Sequence, residues 1–154
     1  MIKTNVITYG RVCNEEHNNS LKNNNLIRQE EILKNYCDIK KYNTVKRYQE
    51  VCSGKNFDRP EWNTLMDYVV NNKNTVDVVL ISEWSRLSRN PEKILAEVSK
   101  LSKMGILVHS AEQPLDLINP DNKLLLLLYL TSTIFKPRKA FRDQSNNVIT
   151  HKQK

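Results

Sequence analysis

The feature that most constrains the fold is the apolar run VDVVLI at residues 76–81, which is followed directly by the polar stretch SEWSRLSRN at 82–90. A short apolar run bounded by polar residues is typical of a strand covered on both faces, as in parallel sheets. We therefore predict a central strand here, with polar side chains gathered at its carboxyl end.

The segments on either side alternate between strand-like and helix-like patterns. Further strands are predicted at 4–9, 45–51 and 106–110. Helices are predicted at 26–38 and 121–135, and two more begin at Pro60 and Pro91. This order predicts an α/β domain with three layers, in which helices cover both faces of a mostly parallel sheet of roughly four to five strands.

Two segments carry more specific expectations. The polar, Asn-rich segment 14–25 is predicted to be a loop. The segment LLLLLYL at 124–130 is predicted to form a buried helix face, because it is too short to cross a membrane. The amino terminus lacks the apolar core of a signal peptide, so a cytoplasmic protein without a membrane partner is expected.

The charge of the chain is concentrated near its carboxyl terminus. The chain has 154 residues and a formal charge of +7, and residues 136–154 hold six basic residues against one acid. We predict a folded domain at 1–135 and a partly disordered basic tail at 136–154. A basic tail favours contact with nucleic acid, although a merely solvated tail is the alternative. The candidate DNA-binding residues are Lys136, Arg138, Lys139 and Arg142.

Cysteine and histidine patterns exclude several classes. The chain has three cysteines, an odd number that argues against a disulfide framework, and three scattered histidines that predict no metal site. Neither a Walker A loop nor a GxGxxG motif is present, which disfavours the corresponding nucleotide folds.

Arginines recur where the predicted strands end. Arg11 follows the first strand, Arg59 lies in the loop after the second, and Arg86 and Arg89 follow the third. Parallel strands bring their carboxyl ends to one edge, where ligands bind, so these side chains should converge there with Cys13. Guanidinium groups match phosphate oxygens and stabilise the charge that develops during attack on a phosphodiester. The alternative is that each is an ordinary surface arginine in a loop.

Four ordered segments resemble the catalytic domain of the serine recombinases, the resolvase/invertase family. They are YGRVCNEE, SGKNFDRPEWNTLM, LISEWSRLSRNPE and EQPLDLINPDNKLLLLLYL, within residues 4–135. The resemblance implies site-specific DNA recombination through a covalent 5′-phosphoryl-enzyme intermediate. It also implies double-stranded DNA as partner, a homodimer that becomes a tetramer on synapsis, and no cofactor. It does not select among resolution, inversion and integration by a mobile element.

Carried over by position, the resemblance assigns roles to individual residues. Cys13 stands where the family has its nucleophilic serine. The residues placed around the scissile phosphate are Arg11, Arg59, Arg86 and Arg89. The residues that support this pocket are Tyr9, Gln29, Glu50 and Ser85.

Three departures from the family pattern leave the present activity open. Cys13 supplies sulfur in place of oxygen, and Ser85 replaces the acid that usually precedes Arg86; nearby Glu83 is not assigned that role. Pro137 is expected to break the family's long last helix, and no carboxyl-terminal DNA-binding domain is expected after the resolvase-like catalytic domain at 1–135. The chain is therefore either a recombinase that acts through Cys13, with impaired activity, or a non-catalytic DNA-binding or recombinase-interacting module of the same fold. A cysteine-dependent phosphatase is disfavoured, because NEEHNN after Cys13 lacks the glycines of an anion-binding loop.

Overall fold

The computed structural model of the protein describes residues 3–13, 19–52 and 59–134. The strands are β1 (Asn5–Val12), β2 (Asn43–Val51), β3 (Val78–Ile81) and β4 (Leu107–Ser110). The helices are α1 (Asn19–Lys40), α2 (Pro60–Asn71), α3 (Trp84–Leu87), α4 (Pro91–Lys103) and α5 (Asn122–Ile134).

The four strands form one sheet in the order β2-β1-β3-β4, and each neighbouring pair is parallel. All four residues of β3 are buried, which confirms the central strand predicted from its apolar run. The register pairs Tyr9 with Tyr48 of β2 on one side and with Ile81 of β3 on the other. The predicted α/β fold with a parallel sheet is therefore confirmed.

Alternate side chains of the strands enter two separate cores, one on each face of the sheet. On one face Val6, Val78 and Leu80 pack against Leu33 and Cys37 of α1. The opposite face carries the larger core, which α2, α3, α4 and α5 cover. Its buried members include Ile7, Tyr9, Ile81, Trp62, Leu65, Leu101 and Leu126. Helices thus lie on both faces, and the predicted three layers are present.

Helix α1 begins at Asn19, so the predicted loop is wrong for residues 19–25. Its buried side chains are Gln29, Leu33 and Cys37, which are spaced four residues apart along one stripe. A helix anchored by such a stripe can extend into polar, exposed residues. Each added residue gains one backbone hydrogen bond, and the cost of helix nucleation is not incurred again. The rest of the predicted loop, 14–18, lies outside the described residues.

The leucine-rich face of α5 is more exposed than its sequence predicts. Leu126 and Leu130 are buried, but Leu124 and Leu128 are 66% and 58% exposed. Consecutive leucines surround a helix, and a single stripe at i and i+4 can face the core. The prediction of a buried face is therefore wrong for most of these leucines. The predicted break at Pro137 and the basic tail lie outside the described residues.

Prolines mark the starts of two helices as predicted, and a glycine follows the end of one of them. Pro60 and Pro91 stand in the first turns of α2 and α4, and Asn90 caps α4 by accepting hydrogen bonds from two backbone N–H groups. Gly105 has φ of 79°, the left-handed conformation that glycine adopts readily, and it turns the chain from α4 into β4. Within the described ranges, none of the helices is both long and apolar enough to cross a membrane.

Candidate active site

The carboxyl ends of β1, β2 and β3 meet at the guanidinium of Arg11. Its Nε donates to the carbonyl of Arg86 at 2.9 Å, Nη1 to that of Cys52 at 3.1 Å, and Nη2 to that of Ser85 at 2.8 Å. The Arg11 side chain therefore hydrogen-bonds to the backbone that follows each neighbouring strand, β2 and β3. This is the convergence expected of parallel strands.

Arg11 is a buried cation, with only 3% of its surface exposed. Burial lowers the pKa of Arg11, and the nearby charge of Arg59 lowers that pKa further. A guanidinium carries five N–H donors. Three nitrogens of Arg11 bond to carbonyls, so one hydrogen on each Nη remains for another acceptor. Its charge adds to the positive potential at this edge of the sheet.

The backbone N–H and carbonyl of Arg11 both hydrogen-bond to the side chain of Gln29 in α1. Its N–H donates to Gln29 Oε1 at 3.0 Å, and its carbonyl accepts from Gln29 Nε2 at 3.1 Å. The pairing of β1 with β3 ends at Tyr9 and Ile81, so no strand lies beside Arg11 on that side. A buried glutamine supplies the donor and the acceptor that the missing strand would have offered.

A second buried network joins Arg59, Tyr9 and Glu50. Arg59 is fully buried, and its Nη1 donates to the carbonyl of Leu87 and, at 3.5 Å, to the Tyr9 hydroxyl. That hydroxyl donates in turn to Glu50 Oε1. The other carboxylate oxygen of Glu50 accepts from the N–H of Glu61 at 3.4 Å, in the first turn of α2. Burial raises the pKa of Tyr9, so the phenol stays protonated and can act as this donor.

The short helix α3 carries Ser85 and Arg86 into the site. Ser85 Oγ donates to Glu83 Oε1 at 2.7 Å, and Arg86 Nη2 lies 3.0 Å from the same oxygen. Arg86 Nη1 also donates to the carbonyl of Arg11 at 3.4 Å. The remaining nitrogen, Arg86 Nε, is buried and has no hydrogen-bond partner in the part of the chain that the structure describes.

Cys13 and Arg89 lie at the exposed side of the same edge. Arg89 Nη2 is 3.9 Å from Cys13 Sγ, within the range of a hydrogen bond to sulfur. Cys13 is half-buried, and Arg89 is exposed. A cation beside a thiol stabilises the negative charge of the thiolate, which is the nucleophilic form.

The four arginines predicted from the sequence therefore lie at different depths below the protein surface. Arg11 and Arg59 are buried and bind backbone carbonyls, whereas the Arg86 side chain is 30% exposed and Arg89 faces solvent. Together these cations raise the positive potential at this edge of the sheet, which attracts an anion to it. The tail residues Lys136, Arg138, Lys139 and Arg142 lie outside the described residues.

Two structural partners of the site were not assigned from sequence. Gln113 clamps the start of α3, because its Oε1 accepts from the Trp84 N–H at 2.9 Å and its carbonyl accepts from the Trp84 indole at 3.0 Å. Glu83 binds both Ser85 and Arg86. Gln113 follows β4 by three residues, and no local pattern marks it. Glu83 stands out only as the acid nearest to Arg86.

No group of three or more histidine, cysteine or acidic side chains is close enough to hold a metal ion within residues 3–13, 19–52 and 59–134.

The fold and the site define a parallel α/β domain with a cluster of arginines at the carboxyl edge of its sheet. The family model for the resolvase N-terminal domain matches residues 6–154, and the chain belongs to that family. A comparison with curated proteins finds no match.

Solved structures support the same fold. The N-terminal catalytic domain of TP901-1 integrase is 22% identical, with a TM-score of 0.64 over 85% of this chain and 94% of that one. A resolvase family site-specific recombinase from Streptococcus pneumoniae is 23% identical, with a TM-score of 0.63 over 86% of each chain. The C-terminal catalytic domain of ISC1926 TnpA, an IS607-like serine recombinase, is 29% identical, with a TM-score of 0.60 over 84% of this chain and 80% of that one.

Proposed function

We propose that the chain performs the strand-exchange step of site-specific recombination on double-stranded DNA in the cytoplasm. Membership in the resolvase family supports this, as does the likeness to a serine recombinase catalytic domain at 29% identity. The observation that carries the chemistry is the distance of 3.9 Å between Arg89 Nη2 and Cys13 Sγ, at the edge where Arg11 joins the strand ends.

In this proposal the arginines bind one DNA phosphate at two depths. Arg86 and Arg89 contact the phosphate oxygens directly, because both side chains reach solvent. Arg11 donates its two remaining N–H groups from the buried side of the site. Arg59 adds positive charge from the buried network. Gln29, Tyr9, Glu50 and Ser85 hold these groups in place.

The covalent step follows from this geometry. The Cys13 thiol loses its proton to water, and Sγ attacks the phosphorus on the side opposite the 3′-oxygen. The S–P bond forms as the P–O3′ bond breaks, and the 3′-oxygen gains a proton to leave as a hydroxyl. The 5′-phosphoryl group stays on sulfur, so attack by a 3′-hydroxyl can reverse the step and rejoin the DNA.

A non-catalytic DNA-binding or recombinase-interacting module is the second candidate. Two observations favour it: sulfur stands where the family has oxygen, and Arg11 is 3% exposed with three nitrogens bound to carbonyls. Sulfur forms longer bonds than oxygen, and a displacement of about 1 Å in an attacking atom can cost roughly 100-fold in rate. This candidate retains phosphate binding and loses the covalent step.

The test uses a supercoiled plasmid that carries the DNA flanking the gene for this chain. If Cys13 is the nucleophile, a denaturing gel shows a protein–DNA adduct that disappears in Cys13→Ala. An adduct from Cys13→Ser but none from the natural chain supports the non-catalytic module. The absence of an adduct from either protein, together with DNA binding that does not weaken as salt is raised, contradicts both candidates.

We further propose that two copies pair through α5 and that four assemble on paired DNA sites. The support is the exposed leucine surface of α5, formed by Leu124, Leu125, Leu127 and Leu128, which are between 43% and 66% exposed. Exposed apolar surface of this kind marks an association site. Sedimentation should show a dimer, and the double variant with Leu124→Asp and Leu128→Asp should be a monomer.

We also propose that the basic tail 136–154 adds DNA affinity that weakens as the salt concentration rises.

A further inference from the structure

We propose that Glu83 is a positioning residue for Arg86, acting as the carboxylate that aims this guanidinium at the bound phosphate. The inference rests on the proposed function, because it assumes that Arg86 binds a DNA phosphate. Sequence position alone points elsewhere: Ser85 directly precedes Arg86, and a hydroxyl cannot carry the negative charge that a guanidinium needs as its counterion.

The contacts of Glu83 are made by one oxygen. Glu83 Oε1 accepts from Ser85 Oγ at 2.7 Å and lies 3.0 Å from Arg86 Nη2. The Glu83 side chain is 16% exposed, so the ion pair is shielded from water and is stronger than a surface pair. The Ser85 hydroxyl fixes the carboxylate, and the carboxylate fixes the guanidinium.

Holding the turn itself does not require the Glu83 side chain. Gln113 binds the backbone and indole of Trp84, and Arg11 binds the carbonyls of Ser85 and Arg86. Glu83 makes no side-chain cap hydrogen bond to α3. The carboxylate therefore acts on the side chain of Arg86 more than on the fold of the turn.

The orientation that results suits an anionic ligand. With Nη2 on Glu83 and Nη1 at the carbonyl of Arg11, the buried Nε of Arg86 has no partner within the described residues. Each terminal nitrogen of Arg86 keeps a second N–H, and because the side chain is 30% exposed, a phosphate oxygen can bind there from solvent.

The direction in which Glu83→Gln changes the affinity for DNA distinguishes a positioning role from simple electrostatics. Glu83→Gln removes a negative charge beside a phosphate site, so charge alone predicts tighter binding of a random-sequence DNA duplex. The positioning role predicts binding that is weaker by about threefold or more, since the guanidinium of Arg86 is then no longer held toward the phosphate. Glu92→Gln, the same change at an exposed residue of α4, is the matched control and should not weaken binding.

Three further variants complete the experiment. In the Arg86→Gln background, Glu83→Gln should have no additional effect, because Glu83 acts through Arg86. Ser85→Asp should restore binding to Glu83→Gln by returning a carboxylate to the turn. If Glu83→Gln does not fold by circular dichroism, Ser85→Ala takes its place and should weaken binding in the same direction, since it frees the carboxylate.

The outcomes separate this inference from the proposed function. If Arg86→Gln leaves the affinity of the natural chain unchanged, the proposed phosphate role of Arg86 is wrong, and the inference fails with it. If Arg86→Gln weakens binding but Glu83→Gln binds as tightly as the natural chain or more tightly, the proposed function stands and the role of Glu83 is overturned. Weaker binding by Glu83→Gln but not by Glu92→Gln, with rescue by Ser85→Asp, supports the role of Glu83.

Discussion

The side-chain amide of Gln29 pairs with the backbone of Arg11 through two hydrogen bonds, of 3.0 and 3.1 Å, and so takes the place of a strand beyond the end of β3. Both partners are 3% exposed. The position of Arg11, and with it the three strand ends that its guanidinium joins, therefore depends on one residue of α1.

Gln29→Leu should destabilise the fold, because it leaves the buried N–H of Arg11 without its acceptor and leaves the carbonyl of Arg11 with only the 3.4 Å bond from Arg86 Nη1. Each unsatisfied buried group costs about 1–3 kcal/mol. Urea denaturation should show a lower free energy of unfolding by about 2 kcal/mol or more. Gln49→Leu, at an exposed residue of β2, is the matched control. Equal losses in the two variants would contradict the bridging role of Gln29.

Tyr9→Phe should destabilise the protein, whereas Tyr48→Phe should not. The Tyr9 hydroxyl donates to Glu50 and accepts from Arg59, so its removal leaves a buried carboxylate oxygen without its donor. The Tyr48 hydroxyl is buried without a hydrogen-bond partner among the described residues. Thermal unfolding should give a loss of about 1–3 kcal/mol for Tyr9→Phe and a change near zero or a gain for Tyr48→Phe. The reverse order would refute this network.

The thiols should differ in reactivity according to their surroundings. Burial raises the pKa of Cys37 and of Cys52, and a raised pKa lowers the thiolate fraction at any given pH. Iodoacetamide at pH 7.5 should therefore modify these two residues slowly. Cys13 should react faster, and Arg89→Gln should slow it by removing the cation 3.9 Å from its sulfur. Mass spectrometry of the peptides measures each rate, with Cys37 as the internal control for Arg89→Gln.

The stability of the fold should fall in mild acid partly through His109. Burial lowers the pKa of His109, and the charge of Lys40 lowers it further, while Asp116 opposes the shift. A lowered folded-state pKa means that the neutral form stabilises the fold above the unfolded pKa, about 6.5, and that this contribution is lost as the pH falls. The free energy of unfolding should therefore drop more between pH 7.5 and 5.0 in the natural chain than in His109→Gln. Parallel pH profiles would show that His109 does not contribute.

The sheet was predictable because its information is local. The apolar run of β3 and the alternation of strand and helix patterns predict a parallel α/β fold, and parallel strands must bring their carboxyl ends to one edge. The convergence of Arg11 with the chain after β2 and β3 followed from that rule alone. Local composition failed for residues 19–25, since a polar helix can extend from a buried stripe that lies further along the chain.

The sequence by itself determined the parallel α/β fold, its resolvase family resemblance, and the presence of arginines at the strand ends. Only the tertiary structure decided that Arg11 and Arg59 hold backbone carbonyls, that Gln29 replaces a strand, that Glu83 binds Arg86, and that most leucines of α5 are exposed. The physical reason is that residue type fixes which donors and charges a side chain carries. Which partner receives them depends on groups up to 76 positions away in sequence, which the fold alone brings together.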